Sequence, residues 1–131
     1  MKVLSIKEPY ASLIKNKYKL IETRSFKTNY RGELYIHASL SKIDKETKNN
    51  SELMSLLGEY DYQYGYIICK CNLVDCVYMN QEFIEKIKQN HTEYICGYYE
   101  EGRYAWVLED IVPLTEPIKA KGRLNIWNFE K

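Results

Sequence analysis

The stretch Lys19-Leu20-Ile21-Glu22-Thr23-Arg24-Ser25 places a lysine, a glutamate and an arginine within six positions, just past an apolar N-terminal segment. Three full charges of both signs sit this close to apolar chain where something organises them. On a strand, residues two apart share a face, so Glu22 and Arg24 project together with Leu20 next on that side. Lys19 falls out of phase. It joins the other two only if a bulge, or the turn that enters the strand, re-aims it. The residues allow two readings: an exposed same-strand ion pair worth about 0–1 kcal/mol, or an organised polar cleft.

Working outward, Lys2 to Ile6 reads as a strand, and Pro9 fits the first turn of a helix that Ala11 to Lys15 continues. The chain returns as a strand from Tyr18 to Arg24, turns at Asn29-Tyr30-Arg31-Gly32, and alternates from Glu33 to Ser39. Leu34, Ile36 and Ala38 take one face of that strand, the core face, and Tyr35, His37 and Ser39 the other. Lys42 to Leu57 is polar with a surface helix towards its end, and Asn49-Asn50 is placed to split it. Tyr60, Tyr62, Tyr64 and Tyr66 repeat with period two and lead into a long strand from Tyr66 to about Val77. Gln81 to Lys88 is a helix carried by Phe83, Ile84 and Ile87, and His91 to Tyr99 reads as loop. Tyr104 to Glu109 forms a strand, and Ile118-Lys119 and Ile126-Trp127-Asn128-Phe129 supply closing strands. Short strands interrupted by a few helices predict an α+β barrel, with Val3 or Leu4 and Ile67 or Ile68 sharing its core, and not a doubly wound sheet.

Composition bounds the function. A chain of 131 residues, 45% hydrophobic and 28% charged, is an ordinary single globular domain. It has no run of 18 apolar residues to cross a membrane and no secretory leader in its first residues, so a cytoplasmic protein without membrane partners is expected. The net charge of +1 argues against a protein that grips long duplexes through a dense basic surface, while a local phosphate contact stays open. Cys69, Cys71, Cys76 and Cys96 read as free thiols, because a chain of this size needs no disulfide staples. Their spacing lacks paired knuckles and histidine partners, so neither a metal nor a cofactor is expected. The aromatic supply is unusual: 13 tyrosines, two tryptophans and three phenylalanines. Most such rings serve the core, and a few are free to stack on a base.

Four ordered blocks then carry a resemblance. They are Leu4 to Ile14, Lys19 to Ser25, Asn29 to Ala38, and Gly102-Arg103-Tyr104-Ala105-Trp106-Val107-Leu108-Glu109 with Pro117-Ile118, Lys121-Gly122 and Ile126-Trp127. Together they resemble the ASCH family, a branch of the PUA-like fold associated with RNA and other nucleic acids. The G-x-K-x-x-E-x-R signature of that family is met by Lys19, Glu22 and Arg24, while Lys17 stands where the family has glycine. The resemblance spans nearly the whole chain and implies one ASCH domain over 1–131, a PUA-like small mixed β-barrel with peripheral helices. It also places Lys19 in the same cleft as Glu22 and Arg24.

Such a cleft has a legible chemistry. Arg24 offers a planar fork for a phosphate or carbonyl, and Glu22 accepts from an exocyclic amine on a base edge. Lys19 serves either as a phosphate contact or as a base. Tyr10, where the family often has tryptophan, stacks on a flipped base or packs on the barrel. His37 is a proton carrier beside Glu22 or a hydrogen-bonded strand histidine. Ser25 lies in reach, and Ser5 and Trp106 join from neighbouring strands. The expected partner is RNA, single-stranded nucleic acid or a modified nucleoside. The alternative is an enzyme of ribonuclease or amidohydrolase type with Lys19 and Glu22 as acid–base pair, although Glu22 stands where the amidohydrolase relatives have a nucleophilic threonine. A peptide-binding interaction domain is the third option.

Overall fold

A computed structural model describes residues 1–130. Its elements run β1 (Lys2–Ile6), α1 (Tyr10–Lys15), β2 (Ile21–Arg24), β3 (Gly32–Ala38), α2 (Lys45–Lys48), α3 (Ser51–Ser55), β4 (Tyr66–Tyr78), α4 (Gln81–Lys88), α5 (His91–Ile95), β5 (Tyr104–Lys119) and β6 (Ile126–Asn128). The strands form one mixed sheet of six in the order β2-β5-β4-β3-β1-β6. Only β1 and β3 pair in parallel; the other neighbours are antiparallel.

The sheet curls because its longest strands are interrupted. β4 and β5 span 13 and 16 residues, and their pairing shifts register between Ile67 and Cys69, Lys70 and Asn72, and Leu73 and Asp75. Asp110 in β5 has a positive φ of 54°. Each bulge bends its strand and adds right-handed twist, which turns a flat sheet into a half-barrel. The half-barrel is open: β2 and β6 end the sheet without pairing to each other. Ile118 and Lys119, expected as a separate closing strand, are the end of β5, since these bulges let one strand serve both halves.

Alternation along β3 sets the core. Leu34, Ile36 and Ala38 are fully buried against Leu4, Ile68 and Trp106. Val3 and Ile67 point the other way into a second cluster with Trp127. That second cluster corrects an expectation. Beyond the exposed Glu33, the opposite face of β3 is covered as well, because β6 and the chain before it pack against it: Tyr35 is half-buried there and His37 fully buried.

The helices follow their caps. Asn50 accepts from the Leu53 N–H at 3.2 Å and starts α3, so the asparagine pair splits the 42–57 segment into two short helices. Asn90 accepts from the Glu93 N–H and starts α5, where sequence reading expects a loop. An Asn-x-x-Glu start signal was present, with too little apolar periodicity after it. Tyr60, Tyr62 and Tyr64 belong to no strand; their rings pack in a row at 5.0 and 5.9 Å, with Lys42 Nζ 4.2 Å over Tyr64.

The end of α1 sets the path of the chain into β2. The Lys17 N–H bonds to the Ile14 carbonyl and the Tyr18 N–H to the Leu13 carbonyl, both at 2.9 Å, with Lys17 left-handed at φ 66°. This is a Schellman turn, and it explains why the resembling family has glycine at that position. The turn consumes residues 17–19, so β2 begins at Ile21 and not at Tyr18. Lys17 is exposed, and among the described residues its side chain makes no hydrogen bond or ion pair that would offset its strained backbone. Lys17→Gly should therefore stabilise the protein by about 0.5–1 kcal/mol, the relief of strain exceeding the added freedom of the unfolded chain. Urea unfolding measures this, and a loss of stability would contradict it.

Candidate functional site

A cleft of about 980 Å³ opens where β1, β2, the start of α1, the 96–98 turn after α5 and the 121–125 segment before β6 converge. Ser5, Tyr10, Lys19, Glu22, Arg24, Ser25 and His37 all line it. Trp106 does not. It is buried behind β2, paired in register with Glu22, and its ring lies 5.8 Å from the Arg24 guanidinium carbon. Its bulk is core; its contribution is a surface against which Arg24 rests.

The floor is built from three charges. Arg24 approaches Glu22 side-on, with Nε and Nη2 each 2.9 Å from Oε2, and its Nη2 also donates to the Ser5 carbonyl at 3.1 Å. Arg24 lines the cleft, and its Nη1 makes no hydrogen bond among the described residues, so its donors are left for another partner. The Schellman turn re-aims Lys19, whose Nζ lies 3.6 Å from Glu22 Oε1 and donates to the Cys96 carbonyl at 2.7 Å. Lys19 is 1% exposed, with its ammonium 5.6 Å from the Tyr10 ring centre. A lysine this deep is tolerated only with partners, and it has a carboxylate, a carbonyl and an aromatic ring.

Glu93, in the helix α5 that stands where the sequence predicts a loop, supports the floor from below. Its carboxylate accepts from the Leu20 N–H at 2.8 Å and the Ile21 N–H at 3.2 Å, pinning the first residues of β2. Burial raises its pKa above the ordinary value; the two backbone hydrogen bonds and the charge of Lys19 oppose that rise. Burial likewise pushes the Cys96 thiol up to about 11, so this sulfur is a neutral neighbour of the Lys19 ammonium near pH 7. All four cysteines are unpaired. Among the described residues, no group of three or more metal-ligating side chains gathers.

His37 acts as a latch. Its Nε2 lies 2.8 Å from the Ala120 carbonyl, which can only accept, so the neutral ring carries its proton there and Nδ1 accepts from the Ser5 hydroxyl at 3.0 Å. Trp127 Nε1 donates to the same Ser5 oxygen at 3.0 Å. Gly122 presses on this pair: a Cβ there would stand 2.7 Å from His37 Cε1 and 2.9 Å from Ser5 Oγ. With both nitrogens engaged, the ring holds the 120–125 segment against the sheet.

That segment supplies what sequence reading missed. Lys121 and Arg123 join Lys7 and Arg103 around the cleft, and none of the four has an ion-pair partner among the described residues. Arg103 is steadied over the Tyr98 ring at 4.4 Å and donates to the Tyr98 carbonyl at 3.1 Å. Lys19 and Arg24 both pair with Glu22 in the floor, and the charge of Lys19 also acts on Glu93 beneath it, so charge there nearly balances. The excess is at the rim. The run Lys121-Gly122-Arg123 is visible in the sequence, but its meeting with Lys7 and Arg103 is a tertiary fact.

Glu93 is the test of how the floor is held. In Glu93→Gln an amide NH₂ replaces one acceptor and faces a backbone N–H, which should cost about 1–3 kcal/mol. The pH dependence has a definite sign. The folded state holds the Glu93 proton more tightly than the unfolded chain, so its contribution is full below the ordinary value of 4.5 and declines as pH climbs through the raised one. Glutamine does not titrate, so the deficit of the variant should be largest in acid and narrow as pH rises. Thermal melts across pH check this; a deficit that widens with pH would refute it.

Residues 4–118 match the ASCH domain family, a span that contains the whole Lys19–Ser25 stretch and every element except β6 and the outer ends of β1 and β5. The crystal structure of ASCH from Zymomonas mobilis superposes with a TM-score of 0.57, covering 90% of this chain and 72% of that one at 17% identity. At that identity the likeness is one of fold. No curated protein matches the chain. The left-handed turn before the lysine, the strand that sets glutamate beside arginine, and the curled mixed sheet behind them accord with that match, and the chain belongs to the ASCH domain family.

Proposed function

We propose that the protein binds RNA or single-stranded nucleic acid, or a modified nucleoside, seating a base over the Lys19–Glu22–Arg24 floor and phosphate at the rim. One observation carries this reading: four cations without an ion-pair partner among the described residues ring a nearly charge-balanced, aromatic-sided cleft on a chain whose net charge is only +1. Positive charge gathered in a concave, partly desolvated place selects an anion there and leaves the rest of the surface indifferent. The floor suits a base edge, because the open Arg24 Nη1 donates and Glu22 accepts. Tyr10 and the exposed Tyr98 and Phe26 offer rings for stacking. The family is generally linked to RNA binding, which agrees with this assignment.

A catalytic reading would use Lys19 and Glu22 as acid and base. The Lys19 amine is already occupied by the Cys96 carbonyl and the Glu22 carboxylate, an arrangement suited to a fixed positive charge. Binding is therefore the favoured reading. Turnover of single-stranded RNA or N4-acetylcytidine that Lys19→Ala and Glu22→Ala both abolish would reverse that order.

Titration with short single strands tests the binding itself. Two to four neutralised phosphates give a slope of log affinity against log salt of about −1.4 to −2.8. Arg24→Ala should weaken binding about tenfold or more through loss of charge-assisted hydrogen bonds. Lys48→Ala, on exposed α2, should leave it unchanged. Equal losses in both variants would mean non-specific charge attraction and would refute the assignment to the cleft.

A further inference from the structure

Beside the cleft, across the open edge of the half-barrel, runs a second groove of about 370 Å³. It lies between the chain leaving β2 and the start of β6, and it shares Phe26 and Asn125 with the cleft. Lys2, Lys27, Thr28 and Tyr30 form its sides, with Trp106 at its base. Two lysines and no acidic residue line it. Neither lysine has an ion-pair partner among the described residues.

Resting on the nucleotide-binding reading above, we propose that the ligand is a continuing single strand: one nucleotide occupies the cleft and its neighbour lies in this groove. Three features lead there. The main cleft is already at the upper end of the volume range that drug-sized ligands fill, so a lone nucleoside leaves it part empty. The basic lining does not stop at the cleft but continues into the groove through Lys27 and Lys2, as a backbone with one charge per nucleotide requires. Phe26 stands at the junction of the two. The residue is 41% exposed, yet its ring is braced edge-on against Trp106 at 5.8 Å, and its carbonyl accepts from Trp106 Nε1 at 3.2 Å. A braced aromatic with a free face is a stacking platform for a base leaving the cleft. The gap exists because β2 and β6 do not pair, so a strand can pass where a closed barrel would block it.

The test compares a seven-nucleotide single strand containing all four bases, as RNA and as DNA, with the four nucleoside 5′-monophosphates. The strand, in one or both forms, should bind at least tenfold more tightly than any monophosphate. Lys2→Ala/Lys27→Ala should make the salt slope of strand binding shallower by about 1.4, two phosphate contacts, and leave monophosphate affinity unchanged. Phe26→Leu keeps the apolar cover on Trp106 but removes the ring, and should cost roughly tenfold or more in strand affinity with the thermal midpoint retained. Equal affinity for strand and monophosphate, or strand binding indifferent to both variants, would overturn the proposal and leave the nucleotide-binding reading standing. If neither strand nor monophosphate binds, that broader reading fails and this one with it.

Discussion

The buried ammonium of Lys19 is the constraint around which this protein is arranged. A fully desolvated charge is costly on its own, and breaking a buried pair by removing one partner typically costs about 3–5 kcal/mol. Its neighbours therefore come from across the chain: Glu22 from β2, the Cys96 carbonyl from the end of α5, and the Tyr10 ring from α1. Satisfying one side chain ties three elements to a common point. Glu93 adds a fourth tie by capping the backbone that emerges from the Lys17 turn. The cleft is the concave side of this knot, so its geometry and the stability of the region are one matter.

Charge is partitioned inside the cleft in a way that composition conceals. Acids and bases are almost equal in number over the chain, 18 against 19. In the floor they are paired, which keeps Glu22 and Arg24 in a fixed mutual orientation and leaves only specific donor and acceptor edges exposed. At the rim the cations stand alone. A ligand meets long-range attraction first and directional hydrogen bonding second, the division of labour that phosphate and base require.

The open edge of the sheet arises from the bulges that curl it. With β5 long enough to serve both halves, the sheet turns through half a barrel before its strands are exhausted. No backbone ladder crosses the space between β2 and β6; Phe26 leans on Trp106 at the β2 side, and the His37 latch holds 120–125 at the β6 side. Edges of this kind are a liability unless short, and both are, at four and three residues.

Local and periodic features are legible in the chain alone. Alternation along 33–39 named Leu34, Ile36 and Ala38 as core, because the period of two is a property of the extended backbone and needs no partner. The spacing of Glu22 and Arg24 put them on one face for the same reason, and resemblance to a family supplied Lys19. Other features depended on the tertiary structure, because each is a meeting of residues far apart in the chain. Glu93 reaches β2 from 72 residues away, Ala120 reaches His37 across 83, and the rim cations come from separate segments around Lys7, Arg103 and Lys121. Nothing local marks such residues. A buried glutamate in α5 and a surface one read alike until the backbone it caps is known, and the partners of His37 on the second face of β3, Ser5 and Ala120, are named only by the packed chain. Local pattern decides which face of an element is apolar; only the packed chain decides which polar groups share a desolvated space, and hence what the cleft can hold.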